Sequence, residues 1–139
     1  MYKSETKLTV RYAETDQMGI VHHSNYYVYF EAAREDFIMG ASIRYKHMED
    51  VGVMMPLVET QCKYYEGAKY ADKIIVETTL EELSPVKVAL LYNVIREADG
   101  KLLAKGKTVQ TFVDKNTFKI VNLKKKYNEL WEKLESLSN

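Results

Sequence analysis

From Lys7 to Tyr12 the chain alternates, with Leu8, Val10 and Tyr12 apolar and Lys7, Thr9 and Arg11 polar. A period of two predicts a half-buried strand. An irregular segment runs from Ala13 to about His23. Beyond it Tyr26, Phe30, Ala33 and Phe37 recur at i, i+4, i+7 and i+11, the stripe of one helical face. Ser24 or Asn25 is placed to cap the first turn through a short side-chain oxygen, and Gly40 to end the helix after Met39. Tyr27, Val28 and Tyr29 make its first half apolar nearly all round, while Glu31, Arg34 and Glu35 give the second half one polar side. Such a helix is expected to be largely buried. A shorter helix over 43–50, ended by Gly52, follows.

The period then returns to two. Strands are predicted over Val53–Tyr65 (broken by Pro56 near its start), Lys73–Leu83, Val86–Glu97 and Leu102–Val113. In the second of these, Ile74, Val76, Thr78 and Leu80 share a face. Asp99-Gly100 between the last two predicts a two-residue hairpin with both positions at positive φ. Leu123, Tyr127, Leu130, Leu134 and Leu137 mark out an amphipathic C-terminal helix. Strand, long buried helix, then a run of long antiparallel strands is an α+β order. A sheet that must cover an apolar helix curls around it.

Composition narrows the picture. The 139 residues fit one domain, 1–139, with no repeat and no Pro/Gly/Ser linker. Basic and acidic residues number 20 each, so no net basic field points to nucleic acid. A single cysteine, Cys62, cannot form an internal disulfide, which suits a reducing, cytoplasmic location. The first ten residues carry no apolar run of a leader kind, and no window reaches the roughly 20 apolar residues of a membrane span. Six glycines are scattered, and none builds a phosphate cradle or a dinucleotide fingerprint.

The chemistry concentrates in residues 13–37, AETDQMGIVHHSNYYVYFEAAREDF. A helix N-terminus collects unpaired N–H groups and the positive end of the macrodipole. It is a ready site for an anion or a polarised carbonyl oxygen. Asp16 in the preceding loop can face the same point. A carboxylate at one end and an oxyanion donor at the other are the minimum kit for acyl transfer. Asp16 can equally be a turn-former bonding the N–H two residues on. Asn25 can be the cap alone, and Glu31 can pair with Arg34 on the next turn or face an acyl pocket. His22 and His23 without a third ligand make a poor zinc site, so no metal and no cofactor is expected.

The string TDQMGIVHHSNYYVYFEAAR closely resembles the active-site motif of hotdog-fold acyl-CoA thioesterases of the 4-hydroxybenzoyl-CoA thioesterase type, through Thr15, Asp16, Gly19, Val21, His23, Asn25, Tyr26 and Glu31. The resemblance implies a hotdog subunit, a curved antiparallel sheet wrapped around the long helix, paired as a homodimer or homotetramer with active sites between subunits. It implies acyl-CoA as substrate, Asp16 as catalytic carboxylate and the backbone N–H near His23 as the group that polarises the thioester carbonyl. Gly19, Val21, Asn25, Tyr26 and Glu31 are then the substrate-binding residues. Gln17-Met18 departs from the small residues many relatives carry there, a change that could tighten the loop or shape the acyl pocket. Two rival readings share the fold. One is a non-catalytic binder of acyl-CoA, against which Asp16 argues, since a neutral thioester needs no facing charge. The other is a thioesterase acting on acyl carrier protein, which would call for a basic docking patch.

Overall fold

The structure is a computed structural model that describes residues 2–138. Five strands form one antiparallel sheet in the order β1-β4-β5-β6-β3: β1 (Lys3–Thr9), β3 (Leu57–Tyr64), β4 (Lys73–Ser84), β5 (Lys87–Arg96) and β6 (Leu102–Thr111). Two short strands, β2 (Val53–Met54) and β7 (Val113–Asp114), pair separately. The long helix α1 (Ser24–Met39) lies across the concave face against β1 and β4. The remaining helices are α2 (Tyr45–Val51), α3 (Leu123–Lys126) and α4 (Asn128–Glu135). This is the hotdog arrangement that the family resemblance implies, and its α+β element order is the one the sequence pattern predicts. Among the described residues no helix is long and apolar enough to cross a membrane.

The alternation in β4 is realised residue by residue: Ile74, Val76, Thr78 and Leu80 point into the core. Register shifts after Leu57, Leu80 and Val94 interrupt the ladders. An extra residue on one strand bends it and increases the local twist, which helps the sheet curl over α1. Phe30 stacks on Tyr92 with ring centroids 4.4 Å apart. A Cβ at Gly106 would collide with the Phe30 ring, so glycine in mid-strand lets the helix approach this closely.

Several boundaries differ from those expected. β1 starts earlier, at Lys3, because its buried positions are filled by Ser4 and Thr6, which hide the alternation. Thr6 donates to Asp36 of α1 at 2.6 Å. The strand ends at Thr9, and Tyr12 is 76% exposed in a short 3-10 turn over Tyr12–Glu14. Neither Ser24 nor Asn25 caps α1. His23 occupies the cap position without a side-chain bond. The first half of α1 is not buried all round, since Val28 is 59% exposed. Arg34, placed on the polar side by the sequence pattern, instead points inward and is 6% exposed.

Gly52 ends α2 in the left-handed region at φ +107°. In the β5–β6 hairpin only Gly100 takes positive φ. Asp99 instead uses its carboxylate to accept from the Arg96 side chain and the Lys101 N–H, so the loop is longer than two residues. The C-terminal helix is broken at Tyr127 (φ −134°, ψ +61°), yet Leu123, Leu130, Trp131, Leu134 and Leu137 all reach the core.

At the far edge of the sheet, β3 pairs, among the described residues, only with β6. Seven of its eight residues are exposed, with Leu57, Val58 and Tyr64 among them. An edge strand of this length with bare apolar side chains is a template for another strand.

Candidate active site

The loop after β1 is closed by a bridge between Thr15 and Val21. Within it the Asp16 N–H donates to the Ile20 carbonyl at 2.9 Å, and the Gly19 N–H to the Asp16 carbonyl at 2.9 Å. Gly19 sits at φ +81°, a conformation glycine adopts without strain. Asp16 Oδ1 accepts the Met18 N–H at 2.8 Å, the turn role open to it from sequence. Among the described residues nothing bonds Oδ2.

Glu14 anchors this loop from beneath. Its carboxylate is buried and accepts from the Arg11 N–H (3.0 Å), Arg11 Nε (2.9 Å) and the Tyr29 hydroxyl (2.8 Å). Its carbonyl accepts the His22 N–H at 2.9 Å and Asn25 Nδ2 at 3.0 Å. Asn25 thus ties the first turn of α1 to the loop. Burial pushes the Glu14 carboxyl up, but Arg11 and Tyr29 outweigh it and hold it below the usual carboxylate range. Burial, with Glu14 adding to it, pushes the Tyr29 hydroxyl well above the usual phenol range, so Tyr29 stays a donor. Such a lowered carboxyl contributes stability above its unfolded pKa and loses it as pH falls through the folded value. Glu14→Gln is therefore expected to cost about 1–3 kcal/mol at pH 7. The gap from wild type should close below about pH 4. Denaturant melts across pH check this, and a gap that does not vary with pH would contradict it.

At the start of α1 the Asn25 and Tyr26 N–H groups are taken by the carbonyls of His22 and His23. The His22 ring nitrogen bonds the Ser24 hydroxyl (2.8 Å) and N–H (3.3 Å), and the two histidine rings stack at 4.1 Å. Among the described residues nothing accepts from the His23 N–H. That donor stands at the positive end of a 16-residue helix.

Asp16, Val21, His23 and Tyr26 line one cavity of about 300 Å³. Its other wall, missing from the sequence reading, is the end of β3 and the turn after it, including Tyr64, Tyr65, Glu66 and Gly67. Ala68 in that turn accepts the Val21 N–H at 2.8 Å. Arg96 clamps the turn by donating to Glu66 (2.7 Å), Asp72 (3.1 Å) and the Gly67 carbonyl (3.0 Å). Gly19 and Asn25 support the loop and do not line the cavity. Glu31 lies in a different cavity and makes no ion pair with Arg34 among the described residues. Among the described residues no three His, Cys, Asp or Glu side chains gather as a metal site.

The arrangement joins a carboxylate with one free oxygen, an unspent amide and an apolar pocket. This is the equipment for attack on a carbonyl whose oxygen gains charge. Comparison with known proteins identifies the family. The model of the thioesterase-like superfamily matches residues 10–130. The YneP protein of Bacillus subtilis is 35% identical over 127 residues, 91% of each chain. An acyl-CoA thioesterase of Helicobacter pylori, YbgC, is 26% identical over 128 residues, 87% of this chain and 94% of its own. The crystal structure of a DHNA-CoA thioesterase from Staphylococcus aureus superposes with a TM-score of 0.91 at 32% identity, over 100% of this chain and 95% of that one. The chain belongs to the thioesterase-like superfamily: it is a thioester hydrolase on a hotdog subunit.

Proposed function

We propose that the protein hydrolyses acyl-CoA thioesters to a free acid and coenzyme A thiol. The observation that carries this is that Asp16, with one carboxylate oxygen unbonded, and His23, whose N–H has no acceptor among the described residues, line one cavity at the head of α1. The thioester carbonyl oxygen accepts from the His23 N–H, which stabilises the charge it gains as the carbon becomes tetrahedral. Asp16 Oδ2 takes a proton from the attacking water, or attacks the carbonyl itself to give an anhydride that water then opens. Both routes end with the acid, the thiol and a regenerated carboxylate. Tyr26 and Val21 form the apolar wall. The Staphylococcus aureus relative acts on an aryl thioester by its name, and an aryl-CoA is the substrate class favoured here.

The reading is tested with a panel of aryl- and alkyl-CoA thioesters and a thiol-trapping dye. Saturable thiol release supports it. Tight binding without release would make the protein an acyl-CoA binder instead. Activity is also expected to survive dialysis against a strong chelator, because among the described residues no three His, Cys, Asp or Glu side chains gather as a metal site. Loss on chelation with recovery on adding Zn²⁺ would assign His22 and His23 to a metal.

A further inference from the structure

Residues 115–126 hold five of the chain's 20 basic residues and none of its 20 acidic ones. Lys115, Lys119, Lys124 and Lys125 are exposed and, among the described residues, enter no ion pair. Lys126 pairs with Asp114 at 3.7 Å, which sets α3 against the foot of the loop after β7. That loop is closely bonded. The Asp114 carboxylate accepts the Asn116 and Thr117 N–H groups, both at 2.9 Å. The Asp114 carbonyl accepts the Phe118 N–H at 2.8 Å, and its own N–H donates to the Lys119 carbonyl at 2.8 Å. The loop carries two bare apolar side chains, Phe118 (58% exposed) and Ile120 (65% exposed).

Phe118 lies at φ +59°, a region that strains a bulky residue and suits glycine. Exposed as it is, the ring offsets little of that strain by burial within the subunit. Single apolar residues on a surface are common. A strained aromatic, two residues from an exposed isoleucine and with unpaired lysines on either side, is a narrower combination. A lipid surface answers all of it: hydrocarbon takes up the two apolar side chains, and anionic headgroups attract the lysines. A second copy of this patch would instead set lysines against lysines. Nucleic acid would attract the lysines through its phosphates and gives no reason for the strain at Phe118.

We propose that the 114–120 loop and the lysines of α3 form a docking surface for an anionic lipid bilayer. Phe118 and Ile120 enter the headgroup boundary, and Lys115, Lys119, Lys124 and Lys125 lie against the charged headgroups. The docking is peripheral and reversible, and it does not depend on the thioesterase reading.

The test floats the full-length protein with vesicles of phosphatidylglycerol mixed with phosphatidylcholine, and with vesicles of phosphatidylcholine alone. Binding to the anionic vesicles is expected to be at least roughly tenfold tighter, and to weaken as salt rises from about 0.1 M to about 0.5 M. The double exchange Lys115→Glu/Lys119→Glu should lower it by at least roughly tenfold. Phe118→Gly removes the aromatic ring and the strain together. Vesicle binding should then fall by roughly 5–20-fold, while the melting temperature holds or rises. A residue needed only for the fold would lower both. Should Phe118→Gly lower both, Ile120→Ser decides: weaker flotation at an unchanged melting temperature supports the docking surface, and unchanged flotation contradicts it. Equal binding to the two kinds of vesicle, binding to neither, or a Phe118→Gly protein that floats like wild type overturns the proposal. So does tighter binding to a DNA duplex than to the anionic vesicles, which would make the patch a nucleic-acid surface.

Discussion

Asp16→Asn is expected to lower kcat by about 10²–10⁴, the range for losing a general base, and by more if the carboxylate is the nucleophile. The substitution keeps the shape of the side chain. Asparagine retains an oxygen that can accept the Met18 N–H, as Asp16 does at 2.8 Å, so the turn at Gly19 should persist. What disappears is the charge, including that on the oxygen no described residue bonds. A neutral thioester gains nothing from an adjacent anion, so affinity for a non-hydrolysable acyl-CoA analogue should stay within a few-fold. His23→Ala is expected to be milder, because the amide aimed at the carbonyl belongs to the backbone. Outright removal of such a donor is worth roughly 3–4 kcal/mol, but a side-chain change does not remove it. Steady-state kinetics, analogue binding and thermal melts on the same preparations separate the roles. A variant with wild-type turnover would leave Asp16 as a turn residue, and one that loses stability in step with rate would make its role structural.

The second large effect concerns assembly. The protein is expected to be a homodimer, or a tetramer built from dimers, paired through β3. Activity should depend on that pairing. If the two copies of β3 pair antiparallel with Gln61 on the two-fold axis, Glu59 of each copy faces Lys63 of the other, and Glu59→Lys is expected to replace two attractive cross-strand pairs with two repulsive ones. Pairs of this kind contribute about 0.2–1 kcal/mol each, and repulsion costs about as much again. The dimer should weaken by about 10–100-fold, and activity should fall with dilution over the same concentration range as the dimer does. Lys63→Glu should act alike, and the double exchange Glu59→Lys/Lys63→Glu should restore both dimer and rate. Light scattering and kinetics over a dilution series read the result. A fully active monomer, or single exchanges without effect on dimerisation, would contradict the β3 pairing.

The fold was legible where one physical demand governed each position. Ile74, Val76, Thr78 and Leu80 alternate in sequence and line the core in the structure. The 3.6-residue stripe of α1 is likewise its buried face. Legibility failed where a polar residue does a buried job. Ser4 and Thr6 conceal the start of β1. Arg34 looks like a surface residue until the sheet, Tyr45 and the Met48 side close over it. The break at Tyr127 carries no glycine or proline to announce it.

The candidate site divides along the same line. Asp16, Val21, His23 and Tyr26 are close in sequence, and a short loop joined to a helix start must bring them together. Glu14 stands one residue before the motif, yet its importance comes from Tyr29, 15 residues on. The wall over 64–67 reaches the cavity only because β3 ends there and Arg96 holds the next turn in place. Contacts so distant along the chain leave no periodic signature. Glu31, one turn before Arg34 and absent from the Asp16 cavity, belongs to the motif in sequence and to a second cavity in space.

The most direct test of the central claim, that water cleaves a thioester at Asp16, is hydrolysis of an aryl-CoA in ¹⁸O-labelled water over many turnovers, with the mass of the free acid recorded beside thiol release. One heavy oxygen in nearly every acid molecule, matched by one thiol and absent from an Asp16→Asn control over the same interval, is the predicted result. Bound thioester recovered intact, or labelled acid formed equally by the Asp16→Asn protein, would contradict it.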